Sequence, residues 1–359
     1  PPNDLNQEPN GHVLRGAPVR RSAMDPVDAI IAAASPGHAS HLLIVDAPAL
    51  VGLARTHGIR VSVWCDDIRD TASAAAELLV ERLDATSLAG VDLVWMRLPK
   101  SLGALQEYAE LVAAHAQPDV RLVAAAREKH LNRSMNDVLA RHFREVSASL
   151  GQRKSRALLA SGSIPGPLSW PRHRQTTIAG HLIDLHWHGA TFAAGRVDAG
   201  TQLLIDHLGS IADADRYLDL GCGSGILATL LAREHPDSEV FAVDASWAAV
   251  DATRRTAAGT AVVTRWASDL GGFADASLDV IVCNPPFHRG TAKDCDPAVE
   301  MFTEAARGLN DDGEFWCVFN SHLPWRTRLS RLIGPTSQVA QNRHYTLTRS
   351  LRVRRPHSD

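Results

Sequence analysis

Two short strings gather the residue types that can do chemistry in this 359-residue chain. The first, Asp219-Leu220-Gly221-Cys222-Gly223-Ser224-Gly225, sits where a strand gives way to a helix beginning at Ile226. Glycines there permit positive φ and close backbone approach, and the helix N-terminus offers free N–H groups, so the turn reads as a cradle for a phosphate or a nucleoside. The spacing is not that of a dinucleotide fingerprint, because Gly225 comes one position early and Ile226 fills the later slot. Asp219, at the strand end, can meet the cationic amino group of a methionine moiety. Asp244 closes the next strand (EVFAVD) and can accept both ribose hydroxyls. Asp269, in Ala267-Ser268-Asp269-Leu270, can accept from an adenine amino group. Each carboxylate alone is commonly a turn or helix cap. Three of them at successive strand ends, beside the glycine turn, point to S-adenosylmethionine.

The second string, Asn284-Pro285-Pro286-Phe287, follows the buried run Leu278 to Cys283 (LDVIVC). An exocyclic amino group on a base is a poor nucleophile because its lone pair is delocalised into the ring. Attack on a sulfonium methyl requires that nitrogen to turn pyramidal, and acceptors aimed at both N–H groups favour the change. The side-chain oxygen of Asn284 and the carbonyl of Pro285 suit that role, and consecutive prolines hold the carbonyl rigidly. Phe287 offers a flat face for a base, a contact worth about 1 to 3 kcal/mol. Read alone, the string is equally a stiff turn. Its position after a strand of the same sheet as the glycine turn favours chemistry.

The elements that must position these strings alternate along the chain as in a parallel sheet covered by helices. Strands are expected at His41 to Asp46, Arg60 to Cys65, Asp92 to Leu98 and Val120 to Ala125, with helices at Ala47 to Thr56, Ala72 to Leu83 and Leu102 to Ala114. A Gly/Pro-rich stretch after Ser161 reads as a linker, and Ile178 to His188 as one alternating strand. A second series follows: helix Gly200 to Leu208, strand Arg216 to Leu220, helix from Ile226, strands Glu239 to Val243 and Leu278 to Cys283, helix Glu300 to Leu309 and strand Glu314 to Phe319. The two series look like copies of one plan, His41 to Asp46 matching Arg216 to Leu220, and Asp92 to Pro99 matching Asp279 to Pro286. In the first copy, Asp46-Ala47-Pro48-Ala49 has no glycine, and Leu98-Pro99-Lys100 stands where the second has its Asn-Pro-Pro. A loose likeness between any two α/β domains is the competing explanation.

Composition is that of a soluble globular protein, 45% hydrophobic and 21% charged, with no apolar run of membrane-spanning length. The start, lacking a Met and rich in Pro and Asn, reads as a trimmed, flexible tail of a cytoplasmic protein. Five scattered cysteines without a C-x-x-C pair argue against a zinc site and a disulfide framework. His181, His186 and His188 have no carboxylate or cysteine spaced to complete a metal site, so none is expected. His288, beside the second string, reads as a loop cap more than a proton relay. Net charge is only -3, but Asn320 to Pro356 carries eight arginines and no acid, and Arg121 to Arg156 nine Lys/Arg against three acids. Residues 200 to 315 hold 19 acidic against 8 basic side chains. Such local positive fields suit a polyanion, though each stretch alone could be a solvated face.

With these residues in view, Asp219 to Gly225, Asp244 and Asn284 to Phe287 resemble the motifs of class I methyltransferases that modify exocyclic amino nitrogens. Over nearly its whole length the chain is similar to the bacterial ribosomal-RNA guanine-N2 methyltransferases built from two tandem methyltransferase-like domains. Val282-Cys283-Asn284-Pro285-Pro286-Phe287-His288, Glu300-Met301-Phe302, Gly313-Glu314, Asn320-Ser321-His322-Leu323 and, in the first half, Leu98-Pro99-Lys100 look closest to the large-subunit enzymes, with the small-subunit relatives next. The family's Phe-Ser-Arg entry motif appears as Phe192-Ala193-Ala194-Gly195-Arg196-Val197-Asp198-Ala199-Gly200. Phe192, Asp198 and Gly200 survive, the Ser and Arg do not, and Arg196 stands nearby as a substitute.

The resemblance implies an α/β fold of two tandem Rossmann-like domains, the N-terminal one degenerate. The expected division is a tail over 1–22, the degenerate, RNA-recognising domain over 23–160, a linker over 161–177 and the catalytic domain over 178–359. It implies S-adenosylmethionine held by Phe192, Asp198, Gly200, Asp219, Gly221, Cys222, Gly223, Gly225, Asp244, Asp269 and Asn284, with catalysis at Asn284, Pro285, Pro286 and Phe287. Lys100, Arg153, Lys154, Arg156, Arg326, Arg328 and Arg343 are the candidate contacts to ribosomal RNA or a ribosomal subunit, and a monomer is expected. The rival readings are an adenine-amino or protein-glutamine methyltransferase, and a non-catalytic ribosome-assembly factor on the same scaffold.

Overall fold

His41-Leu42-Leu43-Ile44-Val45 is buried at every residue, which a strand achieves only when helices cover both faces of its sheet. The computed structural model describes residues 24–56, 59–285 and 297–353. Its first half runs α1 (Pro26–Ala34), β1 (His41–Val45), α2 (Val51–Arg55), β2 (Arg60–Trp64), α3 (Ile68–Thr71), α4 (Ala85–Leu88), β3 (Leu93–Arg97), α5 (Leu102–His115), β4 (Arg121–Arg127), α6 (Arg133–Leu139), β5 (Phe143–Ala148) and β6 (Ser155–Ser163). A two-stranded hairpin, β7 (Arg172–Ile178) and β8 (His181–Trp187), leads into the second half. That half runs α7 (Ala199–Ile205), β9 (Arg216–Leu220), α8 (Ile226–Glu234), β10 (Glu239–Asp244), α9 (Trp247–Thr256), β11 (Val263–Trp266), β12 (Leu278–Cys283), α10 (Pro297–Gly308), β13 (Leu309–Asn320), α11 (Trp325–Leu332), β14 (Thr336–Gln341) and β15 (Tyr345–Leu351).

Strand order is β2-β1-β3-β4-β6-β5 in the first sheet and β11-β10-β9-β12-β13-β15-β14 in the second. Apart from β11 the two lists correspond strand for strand, including an antiparallel pair after four parallel strands. Register makes the match residue-specific. Val45 pairs with Trp64 and Met96, as Leu220 pairs with Val243 and Cys283. Asp92 accepts the amide of His41, as Asp279 accepts that of Arg216, so one carboxylate fixes the start of the central strand in each copy.

Two expected elements differ. No helix spans Ala72 to Leu83: Leu79 instead bridges to Val63, and Val80 donates to the Val63 carbonyl at 2.9 Å. This segment satisfies the outer edge of β2, the place that β11 fills beside β10 in the second sheet, and an edge left bare would carry unpaired backbone groups. The strand expected over Ile178 to His188 is present as β8 from His181, but it is the second arm of a hairpin whose first arm, β7, lies mostly in the expected linker, the turn falling at Ala179 (φ 49°) and Gly180 (φ 81°), the paired positive angles of a two-residue hairpin turn. The coil between the first sheet and the hairpin is therefore shorter than the linker read over 161–177, because β6 runs to Ser163 and β7 begins at Arg172.

The halves meet at a polar joint. His188 is buried, with Nδ1 2.6 Å from Glu107 Oε1 on α5 and Nε2 2.9 Å from Asp251 Oδ2 on α9. Trp247 packs edge-on against both Trp64 and His188. Burial by itself would lower the His188 pKa, but hydrogen bonds to Asp251 and Glu107 outweigh it and raise it to about 9. A raised imidazole stabilises the fold fully below its unfolded value and loses that contribution as pH climbs through 9. The thermal midpoint should therefore fall between pH 6.5 and 9.5, by the equivalent of roughly 3 kcal/mol for a shift of this size. In His188→Gln, calorimetry over the same range should find that slope flattened, and an unchanged slope would remove His188 from the joint's energetics.

Candidate active site

The glycine turn leaves β9 with positive φ at Gly221 (80°), Gly223 (55°) and Gly225 (78°). The Gly221 and Cys222 amides both donate to the Val243 carbonyl, which folds the turn over the end of β10. Gly223 donates to Asp244 Oδ2 at 3.0 Å, while Asp244 Oδ1 accepts the Ser246 amide at 2.9 Å. A Cβ on Gly223 would project into open space, so its backbone borders the cleft. Gly225 serves packing: a Cβ there would come within 2.7 to 2.9 Å of Thr253 on α9. With no side chain at that N-cap, buried Asp219 takes over the capping, accepting the Ala228 amide at 3.0 Å.

Burial drives the Asp219 pKa up to about 7 and that of Asp244 up to about 6, in each case against the lowering effect of the amides they accept. Both sites thus hold a carboxylate that a nearby cation or a set of hydroxyl donors would stabilise.

Asn284 follows β12 into the same cleft, which is lined by Phe192, Arg196, Asp198, Thr201, Asp219, the glycine turn and Asn284. Its Nδ2 donates to Asp198 Oδ2 at 3.1 Å and to Thr201 Oγ1 at 2.9 Å. Asp198 is also the N-cap of α7, accepting from Gly200 and from the Thr201 hydroxyl. Because that hydroxyl proton goes to Asp198, its oxygen faces the amide as an acceptor. Two acceptors at one end of the amide require Nδ2 there, so Oδ1 is the acceptor presented elsewhere. Among the described residues no donor reaches Oδ1.

The structure therefore brings together Phe192, Asp198, Asp219, Gly221, Cys222, Gly223, Asp244 and Asn284. Phe192 keeps 64% of its surface exposed at the rim. Gly200 lies behind the cleft against the Tyr345 ring. Asp269 stands apart, exposed beyond β11, with Oδ1 closing its own turn to Gly271 at 2.8 Å. Pro285 is buried, whereas Pro286, Phe287 and His288 lie outside the described residues. Thr201 is the residue that sequence reading missed. Its signal was position, three residues past an Asp N-cap and so one helical turn along.

The basic candidates are all exposed. Lys100 follows β3, and Arg153 and Lys154 form the turn between β5 and β6, beside the C-terminal end of β4. Arg343 occupies the matching turn between β14 and β15, beside the end of β13. These four share the strand-end edges of the two sheets, the edge on which α/β proteins bind ligands. Arg156 is spent on Glu128 at 3.6 Å, and Arg326 and Arg328 lie on α11, the former donating to the Thr336 carbonyl.

The histidines separate. His188 enters the joint, His181 meets Glu234 at 2.6 Å, and among the described residues only His186 of the three belongs to a cluster of metal-ligand types. A carboxylate not anticipated for it is Asp184, which bridges His173 and His186, and the three donor atoms lie within 4.8 Å of one another on one face of the hairpin.

Residues 183–349 match the methyltransferase small domain and residues 70–163 the RLMG N-terminal domain. The chain is 35% identical to the ribosomal RNA large subunit methyltransferase G of Ectopseudomonas mendocina, covering 72% of this chain and 70% of that protein. It is 33% identical to the protein of that name from Streptomyces avermitilis, over 73% and 71% of the two chains. Among solved structures, the 16S rRNA N2 G1207 methyltransferase (RsmC) of T. thermophilus, in complex with AdoMet and guanosine, superposes with a TM-score of 0.79 at 22% identity, covering 92% of this chain and 93% of that one. With both of its halves matched in order and about a third of the aligned residues shared with these relatives, the chain belongs to the family of the ribosomal RNA large subunit methyltransferases G.

Proposed function

We propose that this methyltransferase uses S-adenosylmethionine to methylate the exocyclic 2-amino group of a guanine in large-subunit ribosomal RNA. The observation that carries the reading is the fixed amide of Asn284, whose donor end is consumed by Asp198 and Thr201 and whose acceptor end is left for a substrate N–H. The names of the relatives support the large subunit. The cofactor fits what the cleft offers: open space at Gly223, a carboxylate at Asp244 for hydroxyl donors, and a buried carboxylate at Asp219 for an ammonium.

When bound, S-adenosylmethionine supplies an electrophilic methyl group on a sulfonium. The protein's part is positioning. Asn284 Oδ1 and the Pro285 carbonyl accept the two amino protons and draw the nitrogen toward a pyramidal shape. Phe192, and Phe287 by its sequence position, offer aromatic faces for a base. The guanine has to leave its stack to arrive there, at a cost of a few kcal/mol that contacts to flanking phosphates can offset. Lys100, Arg153, Lys154 and Arg343 are the side chains for those contacts, Arg326 and Arg328 extending them along α11. Arg196 serves in place of the family's missing Arg. The two halves form within one chain a paired arrangement of like domains, so the working unit is a monomer, in the cytoplasm where ribosomal RNA is made.

Radiolabelled transfer to separated ribosomal subunits and to naked ribosomal RNAs, followed by mapping of the base, tests the substrate: label in a large-subunit guanine is expected, and label only in protein would overturn the reading. Asn284→Ala should cut transfer about a hundredfold or more, the scale of a lost transition-state hydrogen bond in a preorganised site, with cofactor affinity nearly intact. Thr201→Val keeps the shape but removes one of the two acceptors orienting the amide, and should cost about tenfold in single-turnover rate. Because Asp244 titrates near 6, affinity for S-adenosylhomocysteine should fall as pH drops below that value. About one unit lower it should be roughly tenfold weaker. Asp244→Asn should lose the part of the acid limb near 6 while the part that Asp219 sets near 7 remains, and calorimetry finding the lower part intact would reassign it.

A further inference from the structure

The segment that carries the chain from Asp244 into α9 is held by residues of the other half. Asp66, just beyond β2, accepts from the Ser246 hydroxyl through Oδ2 at 2.7 Å and from the Ala248 amide through Oδ1 at 2.9 Å. Its backbone carbonyl accepts the Trp247 amide at 2.8 Å and the Trp266 indole at 3.2 Å, and Ile68 returns a bond from its amide to the Ala245 carbonyl at 2.9 Å. Helix α9 therefore has a composite cap. Ser246 accepts from Ala249 at 3.2 Å in the ordinary way, while the Ala248 amide, in the first turn, is served by a carboxylate 182 residues away in sequence.

This cap adjoins the cofactor cleft directly. The Ser246 amide donates to Asp244 Oδ1, and the other oxygen of Asp244 holds Gly223. On the far side, the Asp66 amide donates to Asp46 Oδ1 at 2.8 Å. Asp46 occupies, by strand register, the place of Gly221, and takes the left-handed conformation (φ 53°) that the glycine takes in the second half. The turn that would have formed the first half's own ligand site thus continues through Asp66 and Ser246 to the second half's site.

We infer that Asp66 is a positioning residue of the cofactor site: it anchors the Ala245–Ala248 segment so that the Asp244 carboxylate is aimed at the cofactor's ribose, and the first half contributes to cofactor binding as well as to any recognition of RNA. This rests on the reading of the cleft as an S-adenosylmethionine site. An interaction routed through a side chain two bonds removed from the ligand costs only part of what the direct contact costs, so the effect is intermediate between wild type and Asp244→Ala.

The test uses the full-length protein and calorimetric titration with two ligands, S-adenosylhomocysteine and its 2′-deoxyribose analogue. Wild type should prefer the ribose ligand, and failure of wild type to bind either would refute the cleft reading itself. In Asp66→Ala the Kd for S-adenosylhomocysteine should rise about tenfold, whereas the 2′-deoxy analogue should lose less than threefold, because the lost grip is on the hydroxyls. Asp66→Asn keeps an acceptor for the Ala248 amide and should recover most of the affinity. Glu107→Gln, which weakens the joint at His188 and the Gly189 amide without bonding to this segment, should keep the wild-type preference between ligands. If Asp66→Ala does not fold, Ser246→Ala removes the hydroxyl link together with the cap bond to Ala249 but keeps the Asp66–Ala248 bond, and should give a smaller loss with the same ribose dependence. Unchanged affinity in the folded variants, or equal loss for both ligands, overturns the inference.

Discussion

The contact between the end of β12 and the first turn of α7 decides what this molecule can do. In the second half it joins Asn284 to Asp198 and Thr201, a neutral amide against an N-cap carboxylate and a hydroxyl. Register puts Arg97 in the place of Asn284, so that Leu98-Pro99-Lys100 matches one residue later than the sequence suggested, and Asp25 and Asp28, the N-cap of α1 and the residue three further on, stand in the places of Asp198 and Thr201. There the same contact is an ion pair, the Arg97 guanidinium gripping Asp28 through two bonds of 2.7 and 2.6 Å. Both versions tie the helix to the sheet. Only the amide leaves an acceptor over.

Divergence of the two copies follows from such exchanges and needs no change of topology. Cys65 stands where Asp244 stands, and a buried thiol whose pKa burial drives up to about 12 offers nothing to a pair of hydroxyls. Asp46 replaces Gly221 and pays the steric cost of positive φ, a conformation that Asp tolerates better than most residues. Its carboxylate is turned to Asp66, so the vacated turn holds the neighbouring half. Buried Asp28 is tolerable because its charge is met by two donors, and removing Arg97 would strand it. The first half has kept the scaffold while its polar groups have been redirected from a ligand to the protein.

Much of this was legible in order along the chain. Continuous apolar runs ended by an acid or a glycine identified most parallel strands, and the pairing of Asp92 with Asp279 exposed the duplication that the register now fixes. The glycine turn and Asn284 were legible because each role needs a particular residue type. Three things were not. Ala72 to Leu83 has helix-forming residues, but an edge strand's unpaired backbone outweighed that weak preference. Ala179-Gly180 lacks the usual Asn or Asp, so the turn was not seen and the first arm of the hairpin read as linker. Thr201 and Asp66 act on Asn284 and Ser246 from 83 and 180 residues away, and periodicity carries no information about such pairs.

Net charge was the least informative quantity, for a reason the ion pairs make plain. In the second half several arginines are met by its own acids: Arg254 and Arg255 by Asp251, Arg216 by Glu239, Arg307 by Asp275 and Glu304, Arg349 by Glu314. In the first half Arg69, Arg82, Arg97, Arg127 and Arg156 are likewise met by carboxylates. Exposed pairs of this kind add little stability, but each cancels its own field beyond a Debye length of about 8 Å at physiological salt. Among the described residues, Lys100, Arg153, Lys154 and Arg343 have no such partner, and they stand at the strand-end edges where the cleft opens. A polyanion approaching that edge is met by these four cations, two of them in a turn whose counterpart in the other half carries the fourth. The duplicated hairpin thus extends a positive edge along both halves.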